Sequence, residues 1–340
     1  MRDSPVVPLV DTFGRVHRDL RISVTDRCNY RCTYCMPEDG LEWLPRHEVL
    51  SFEEIELVAS VLVRRFGIDS IRITGGEPTV RANVTLLVSK LAGLSDPTHP
   101  IDLSMTTNGS TLRRMATDLR DAGLGRLNIS LDSLHADRFE HITRRDDLDT
   151  VLDGIDAAVE AGFDPVKLNV VAMAGINDDE ILDFASFGRD RGVTVRFIEF
   201  MPLDADGAWT DAAVMTQAEI VSVIDEVHPL EPIVRGSEPA ERFRYRDGRG
   251  EVGVIPSVTR PFCESCDRIR LTSEGGLRNC LFATDEVDLR AVMRSGEPSE
   301  TVERELVQAI SSAVAAKGEG HAIGKVNFIR PRKSMSQIGG

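Results

Sequence analysis

Thr25-Asp26-Arg27-Cys28-Asn29-Tyr30-Arg31-Cys32-Thr33-Tyr34-Cys35-Met36-Pro37 comes directly after Leu20-Arg21-Ile22-Ser23-Val24, a run that alternates apolar and polar side chains. The alternation reads as a strand with two unlike faces, and the three cysteines read as a loop leaving its C-terminal end. Barrel enzymes place their chemistry at that end of their strands. Strand-like runs recur at 70–74, 101–106, 126–131, 166–173 and 194–200. Helical periodicity fills the stretches between and after them, at 52–66, 82–94, 112–122, 148–161, 179–191 and 217–227. Ser51 with Glu54 three residues on forms a capping box that opens the first helix. Six βα units fall short of the eight of a closed barrel, so the expected architecture is α/β, a partial (β/α)6 TIM-type barrel. Periodicity alone leaves a doubly wound sheet open. After His228 the runs shorten and become rich in Pro, Gly and charge as far as Leu281, with helical periodicity again at 286–294 and 300–316. The expected division is a core over 11–228 and a C-terminal domain over 229–340.

Composition narrows the setting. Of 340 residues, 41% are hydrophobic and 28% charged, ample for a packed core. Lys+Arg 40 against Asp+Glu 55 gives a net charge of −15, which argues against a generic grip on nucleic acid or an anionic membrane. Any anionic ligand is therefore expected on a local basic cluster. The opening M-R-D-S-P-V-V-P-L-V lacks the apolar core of a signal peptide, and no run approaches a membrane span. A cytoplasmic location is the expectation, and there six cysteines serve better as metal ligands or redox groups than as disulfides.

Those cysteines form two groups of three. Cys28, Cys32 and Cys35 lie in the first loop, and Cys263 and Cys266 are joined after 13 intervening residues by Cys280. A short loop of three thiolates suits an iron–sulfur cluster, with one iron of four left open for a chelating cofactor. Zinc, which takes four closed ligands, is the alternative at either group and the stronger one at the second, whose C-x-x-C resembles half a zinc ribbon. A thioredoxin-like redox pair is a further reading of the first.

Cys28, Cys32 and Cys35, with Tyr34 before the last of them, are similar to the signature of the radical S-adenosylmethionine (SAM) superfamily. Gly75-Gly76-Glu77-Pro78 resembles that superfamily's methionine-amine motif. The run T-D-R-C-N-Y-R-C-T-Y-C-M-P, the later R-P-F-C-E-S-C-D-R-I-R-L-T and the final Gly-Gly together resemble the GTP 3′,8-cyclase family of molybdenum cofactor biosynthesis, from about Asp11 to Gly340. The resemblance implies a [4Fe-4S] cluster on Cys28, Cys32 and Cys35 that binds SAM and cleaves it reductively to a 5′-deoxyadenosyl radical. It further implies that this radical takes the ribose 3′ hydrogen of GTP and that C3′ then adds to guanine C8, giving (8S)-3′,8-cyclo-7,8-dihydroguanosine 5′-triphosphate. A second [4Fe-4S] cluster on Cys263, Cys266 and Cys280 is implied to bind the guanine. Implied SAM contacts are Tyr34, Gly76, Ser130 and Met201; implied GTP contacts are Arg21, Arg72, Thr106, Lys167 and the Arg268-Ile269-Arg270 segment. Gly339 and Gly340 are implied to reach the active site together with Arg268 and Arg270. The implied partners are an electron donor such as flavodoxin or ferredoxin, cyclic pyranopterin monophosphate synthase as the next enzyme, and a second copy in a homodimer.

The residues support this reading independently. The cysteine loop, the glycine pair, Thr106, Ser130 and Met201 all fall at C-terminal ends of expected strands. Two adjacent glycines let backbone approach a ligand closely. Arg268 and Arg270, two apart on an extended segment, project the same way, and guanidinium groups suit phosphate oxygens. At about 1.5–3 kcal/mol per charged hydrogen bond, four such contacts support micromolar binding. Competing readings are a peptide-modifying radical SAM enzyme and a non-catalytic zinc-binding or electron-transfer module. Arg330, Arg332 and Lys333 near the end have no assigned role.

Overall fold

A computed structural model of the chain describes residues 6–203, 207, 209–236, 238–323 and 328–339. Twelve strands form one sheet: β1 (Asp19–Ser23), β2 (Ser70–Thr74), β3 (Asp102–Thr107), β4 (Arg126–Ser130), β5 (Val166–Ala172), β6 (Thr194–Glu199), β7 (Leu230–Pro232), β8 (Glu241–Tyr245), β9 (Glu251–Ile255), β10 (Arg268–Leu271), β11 (Gly276–Arg278) and β12 (Val287–Asp288). The helices are α1 (Phe52–Phe66), α2 (Val84–Ala92), α3 (Leu112–Asp121), α4 (Ala136–Thr143), α5 (Leu148–Glu160), α6 (Ile181–Arg191), α7 (Gln217–Val227), α8 (Leu289–Met293), α9 (Ser299–Ala315) and α10 (Met335–Ile338).

The spatial order is β12-β11-β10-β1-β2-β3-β4-β5-β6-β9-β8-β7. From β10 through β9 every neighbouring pair is parallel, and an antiparallel extension flanks each side. Among the described residues no ladder joins β12 to β7. The parallel run is longer than the six strands read from periodicity. Both additions, β9 beside β6 and β10 beside β1, come from beyond residue 228. A short strand shows its length in sequence but not its neighbour.

Each parallel strand carries two unlike faces. Leu20 and Ile22, Ile71 and Ile73, Leu127 and Ile129, and Val195 and Phe197 are buried against the helices in one continuous core. Full burial stabilises by about 1.5–3 kcal/mol for each aliphatic side chain of this size. The alternate residues face the lumen, and there the chain places Arg21, Arg72, Asn128, Asn169, Arg196 and Arg270. An ordinary barrel fills its interior with branched apolar side chains. This one sets cations and amides beside Val171, Ile198 and Met201, so the interior carries a basic polar region within an apolar wall.

The helices close as their sequences dictate. Ser51 Oγ accepts from Glu54 N at 3.2 Å while Glu54 Oε2 accepts from Ser51 N at 2.7 Å, and Gly67 ends α1 in the left-handed region at φ 73°. Two helices escape the periodicity: α4, eight residues long, and α10, four residues long. A short amphipathic turn between loops leaves too few periods to register. The expected helix over 82–94 begins at Val84, after a single 3₁₀ turn at Pro78–Val80. No described helix is long and apolar enough to cross a membrane.

Candidate active site

The first cysteine loop leaves β1 at its C-terminal end and is tied down on every side. Asn29 Nδ2 donates to Ser110 Oγ and Asn108 Nδ2 donates to Asn29 Oδ1, both at 2.9 Å. Arg31 reaches back to the carbonyls of Cys28 and Tyr30, each at 2.8 Å, and lies over the Trp43 ring. From the end of α4, Arg144 donates to the carbonyls of Arg31 at 3.0 Å and Met36 at 3.3 Å, and Arg145 to that of Asn29 at 2.9 Å. Buried Asp26 accepts from Leu44 N at 2.6 Å and so shapes the loop. Burial pushes the thiols up, Cys28 to about 11 and Cys35 to about 12, and Cys32 and Cys35 are raised further by the charge of neighbouring cysteines of the triad.

Gly75 and Gly76 do allow a close approach, but of protein. A Cβ on Gly76 would lie 2.4 Å from Arg27 O, and one on Gly75 2.7 Å from Thr25 O. The glycines therefore seat the start of the cysteine loop, with Gly76 N donating to Thr25 O at 2.7 Å and Glu77 N to Arg27 O at 2.8 Å. Glu77 is buried and fully used. It accepts from Thr79 N and Oγ1, Thr107 Oγ1 and Asn108 N, which joins the ends of β2 and β3.

Tyr34 Oη donates to Asp132 Oδ2 at 2.6 Å, and Asp132 Oδ1 accepts from Val171 N at 2.8 Å. Burial raises Asp132 to about 6 against the opposing pull of these two bonds. Sequence reading reached Ser130 to Asp132 at the end of the fourth strand but gave Asp132 no role, since only the structure displays its burial and pairing.

A cavity in the lumen gathers most of the remaining candidates. Arg21, Arg72, Thr106, Met201, Arg268 and Arg270 line it together with all three cysteines of the second group. Arg268 and Arg270 do project the same way, as β10 requires. Ile269 turns outward into the core, leaving its backbone for any ligand contact. Lys167 and Ser130 face the lumen from β5 and β4 but lie outside this cavity's lining, as do Tyr34 and Gly76. Arg196, which sequence reading passed over, lines the cavity and donates to the amide oxygens of Asn128 and Asn169. Its signal was its phase, an arginine on the polar side of Thr-Val-Arg-Phe-Ile-Glu, matching Arg21 and Arg72.

Arg21, Arg72, Arg268 and Arg270 share the charge of one carboxylate, Asp19, so the cations outnumber it. The Nε atoms of Arg21, Arg196 and Arg270 have no hydrogen-bond partner. Burial, and then the neighbouring guanidinium groups, lower Arg196 to about 9 and Arg270 to about 10. Unpaired buried charge is costly and asks for an anion, and a guanidinium fork matches phosphate oxygens.

The second triad sits at the other end of the barrel. Arg268 pairs with Asp19 at the start of β1, so Cys266 lies beside the N-terminal end of that strand while Cys28 follows its C-terminal end. Cys280 follows β11, which runs back to the same level. Burial opposes ionisation of Cys266, but Arg268, with Nη2 at 3.5 Å from Sγ, and Lys317 together carry it down to about 6. Three thiolates are the donor set of a four-iron cluster, each on a different iron. Both triads fit such a cluster, the first through buried thiols on a strapped loop and the second through a thiolate among cations.

The C-terminal helix α10 enters the lumen. Met335 lines the cavity, and Ser336 hydrogen-bonds Cys35. Gly339 is held in the left-handed region at φ 67°, where a Cβ would lie 2.4 Å from Thr74 Oγ1. Gly340 lies outside the described residues. Lys333 pairs with Glu274 and Glu286, so it fastens the tail and is spent on carboxylates.

Residues 22–188 match the family model of the Radical SAM superfamily, and 193–323 that of Molybdenum Cofactor Synthesis C. A GTP 3′,8-cyclase of Rhodopirellula baltica is 50% identical over 339 residues, covering 98% of this chain and 92% of the relative. One of Streptomyces coelicolor is 46% identical over 335 residues, covering 98% and 96%. Among solved structures, Streptococcus suis SuiB superposes with a TM-score of 0.57 at 11% identity, over 88% of this chain and 68% of that one, a likeness of fold alone. Identity of this order from end to end, on a fold that sets two cysteine triads at opposite mouths of a basic lumen, shows that the chain belongs to the GTP 3′,8-cyclase family of the radical SAM superfamily.

Proposed function

We propose that the lumen is where SAM and GTP meet, with residues 11–228 generating the radical and 229–340 presenting the nucleotide. The reaction converts GTP to (8S)-3′,8-cyclo-7,8-dihydroguanosine 5′-triphosphate, an early step of molybdenum cofactor biosynthesis. In this reading Cys28, Cys32 and Cys35 hold one [4Fe-4S] cluster and Cys263, Cys266 and Cys280 the other. When bound, the first supplies the electron that cleaves SAM to the radical abstracting the ribose 3′ hydrogen, after which C3′ adds to C8.

The protein's own part is positioning. Arg144, Arg145 and Arg31 fix the first loop, so its thiolates are presented in one arrangement. Tyr34, Gly76, Ser130 and Met201 hold SAM at that mouth. Arg21, Arg72, Arg196 and Lys167 take the triphosphate and Thr106 orients the nucleotide, while Arg268, the Ile269 backbone and Arg270 fix it beside the second triad. Gly339 completes the wall against the reacting ribose and excludes water, and Gly340, outside the described residues, is assigned to the same reaction. Such orientation converts a bimolecular encounter into an intramolecular one.

One observation carries this assignment: three buried guanidinium groups with orphaned Nε atoms converge on the cavity that contains the second triad. A low-potential one-electron donor such as flavodoxin or ferredoxin serves the first mouth, and cyclic pyranopterin monophosphate synthase consumes the product. A cytoplasmic homodimer is the state we assign.

The test is anaerobic incubation of reconstituted protein with SAM, dithionite and GTP, following 5′-deoxyadenosine and the cyclised nucleotide together by mass spectrometry. GTP-dependent formation of both is expected. Deoxyadenosine without a nucleotide product would overturn the substrate assignment, and neither product at full iron loading would overturn the radical chemistry.

A further inference from the structure

Lys317 stands one residue beyond the C-cap of α9 and is buried, 3% exposed, although it is a lysine on a chain of net charge −15. Its ammonium lies 2.8 Å from His17 Nε2, 2.9 Å from Arg268 O, 3.2 Å from Cys266 O and 3.6 Å from Cys266 Sγ. Among the described residues no carboxylate pairs with it. Asp11 is engaged by Arg15 Nε at 2.5 Å. The negative charges that act most on Lys317 are those of Cys266 and Cys280, and Asp267, between the two residues whose carbonyls it reaches, also feels its charge. A buried ammonium left unpaired is costly, so the fold keeps it only where a negative group answers it.

The turn that follows is pressed onto the same triad. Arg15 donates to Gly318 O at 2.6 Å, Glu319 O at 2.7 Å and Cys263 O at 2.8 Å, which locks the turn against the start of the second site. A Cβ on Gly320 would lie 2.9 Å from Cys263 Cβ and 3.1 Å from its Sγ, so only glycine passes there. His321 N donates to Cys263. Segments 11–18 and 317–321, far apart in the chain and with no role in the proposed chemistry, thus close over one cysteine pair.

We infer that Lys317 is a positioning residue of the second site, the fixed countercharge that holds Cys266 and the start of β10 in place and stabilises the electron-rich form of the group these thiolates bind. This rests on the reading that the second triad holds an iron–sulfur cluster. Hydrogen bonds and fixed charge near cluster sulfurs set how readily a cluster is reduced and how well its metal is kept. Removing a positive charge disfavours the reduced form, so the reduction potential falls. A neutral donor of similar reach, glutamine, retains bonds to the two carbonyls but not the charge.

Anaerobically reconstituted wild type, Lys317→Gln and Lys317→Arg are to be compared by iron and sulfide content, by the rate of iron loss to a chelator, and by a potentiometric titration of the second cluster followed by electron paramagnetic resonance. The wild type is expected to hold about eight irons per chain. Lys317→Gln is expected to cleave SAM as before, to reduce its second cluster at a more negative potential, and to release that iron several-fold faster. Lys317→Arg is expected near wild type. An unchanged potential and iron-loss rate in Lys317→Gln would overturn the inference, as would an arginine variant shifted as far as the glutamine one. Should Lys317→Gln hold neither cluster, Lys317→Arg decides: both clusters at wild-type potential support a charge role, and loss of the second alone refutes it. A wild type with zinc or no metal at the second triad would instead overturn the reading beneath it.

Discussion

The two cysteine triads share a residue type and a count but almost nothing else. The first hangs on a loop strapped through its carbonyls by Arg31, Arg144 and Arg145, and burial pushes its thiols upward. The second is set between β10, β11 and the turn after α9, and Arg268 with Lys317 draws Cys266 down to about 6. In the first site the arginines reach backbone oxygens; in the second, cations reach backbone oxygens and, through Arg268 and Lys317, sulfur as well. In the proposed reading one triad is held in shape while it reacts and the other stays charged beside a polyanion.

Breaking the two triads separately has the largest expected effect. Cys28→Ser is expected to abolish 5′-deoxyadenosine formation while leaving about four irons at the second site. Cys266→Ser is expected to leave SAM cleavage in place and to abolish the cyclised nucleotide. If both variants lose both products alike, the two sites are not functionally distinct.

Arg270→Ala tests whether the cations of the second region serve the nucleotide. Loss of a charged hydrogen bond of about 1.5–3 kcal/mol weakens GTP binding roughly 10- to 150-fold, with SAM binding unchanged. Titration calorimetry with GTP checks it, and equal affinity would remove Arg270 from the site.

Lys167 gives the same region a pH dependence. Burial first, then the charges of Arg196 and Arg126, lowers it to about 8, so it is charged below that pH and neutral above it. The affinity it lends a phosphate is therefore present at pH 7 and lost as pH rises through 8. The kcat/KM for GTP should fall across that range, and Lys167→Met should flatten the decline. A decline that survives the substitution belongs to another group.

Arg144→Ala is the smallest change. It removes two bonds to loop carbonyls from a half-buried guanidinium, which solvent screening holds to about 1–3 kcal/mol together, and is expected to speed iron loss from the first triad alone. Chelator kinetics on the two clusters would show it, and equal acceleration at both would mean that the strap is not local.

Much of this was legible in the chain. The apolar phase of β1 to β6 and the lengths of α1, α3, α5, α6 and α7 follow from periods of two and 3.6, and both cysteine groups are plain in the sequence. Pairing was not legible. Nothing local in Arg268–Leu271 says that it lies against β1, and that one contact places the second triad at the opposite mouth. The glycine pair was read as an opening for ligand, and spacing alone could not show that the backbone of Thr25 and Arg27 comes close there as well. Asp132, Arg196 and Lys317 were hidden for a related reason: a lone charged residue acquires its meaning from burial and partners, which only the fold assigns.

The parallel ladder between β1 and β10 has one more consequence. Asp19 to Ser23 rises by about 13 Å at 3.3 Å per residue, and the triads lie beyond its two ends. The strand is thus a ruler. Whatever is fastened by one end at the lower mouth is offered to the upper one only if it is long enough and stiff enough to reach.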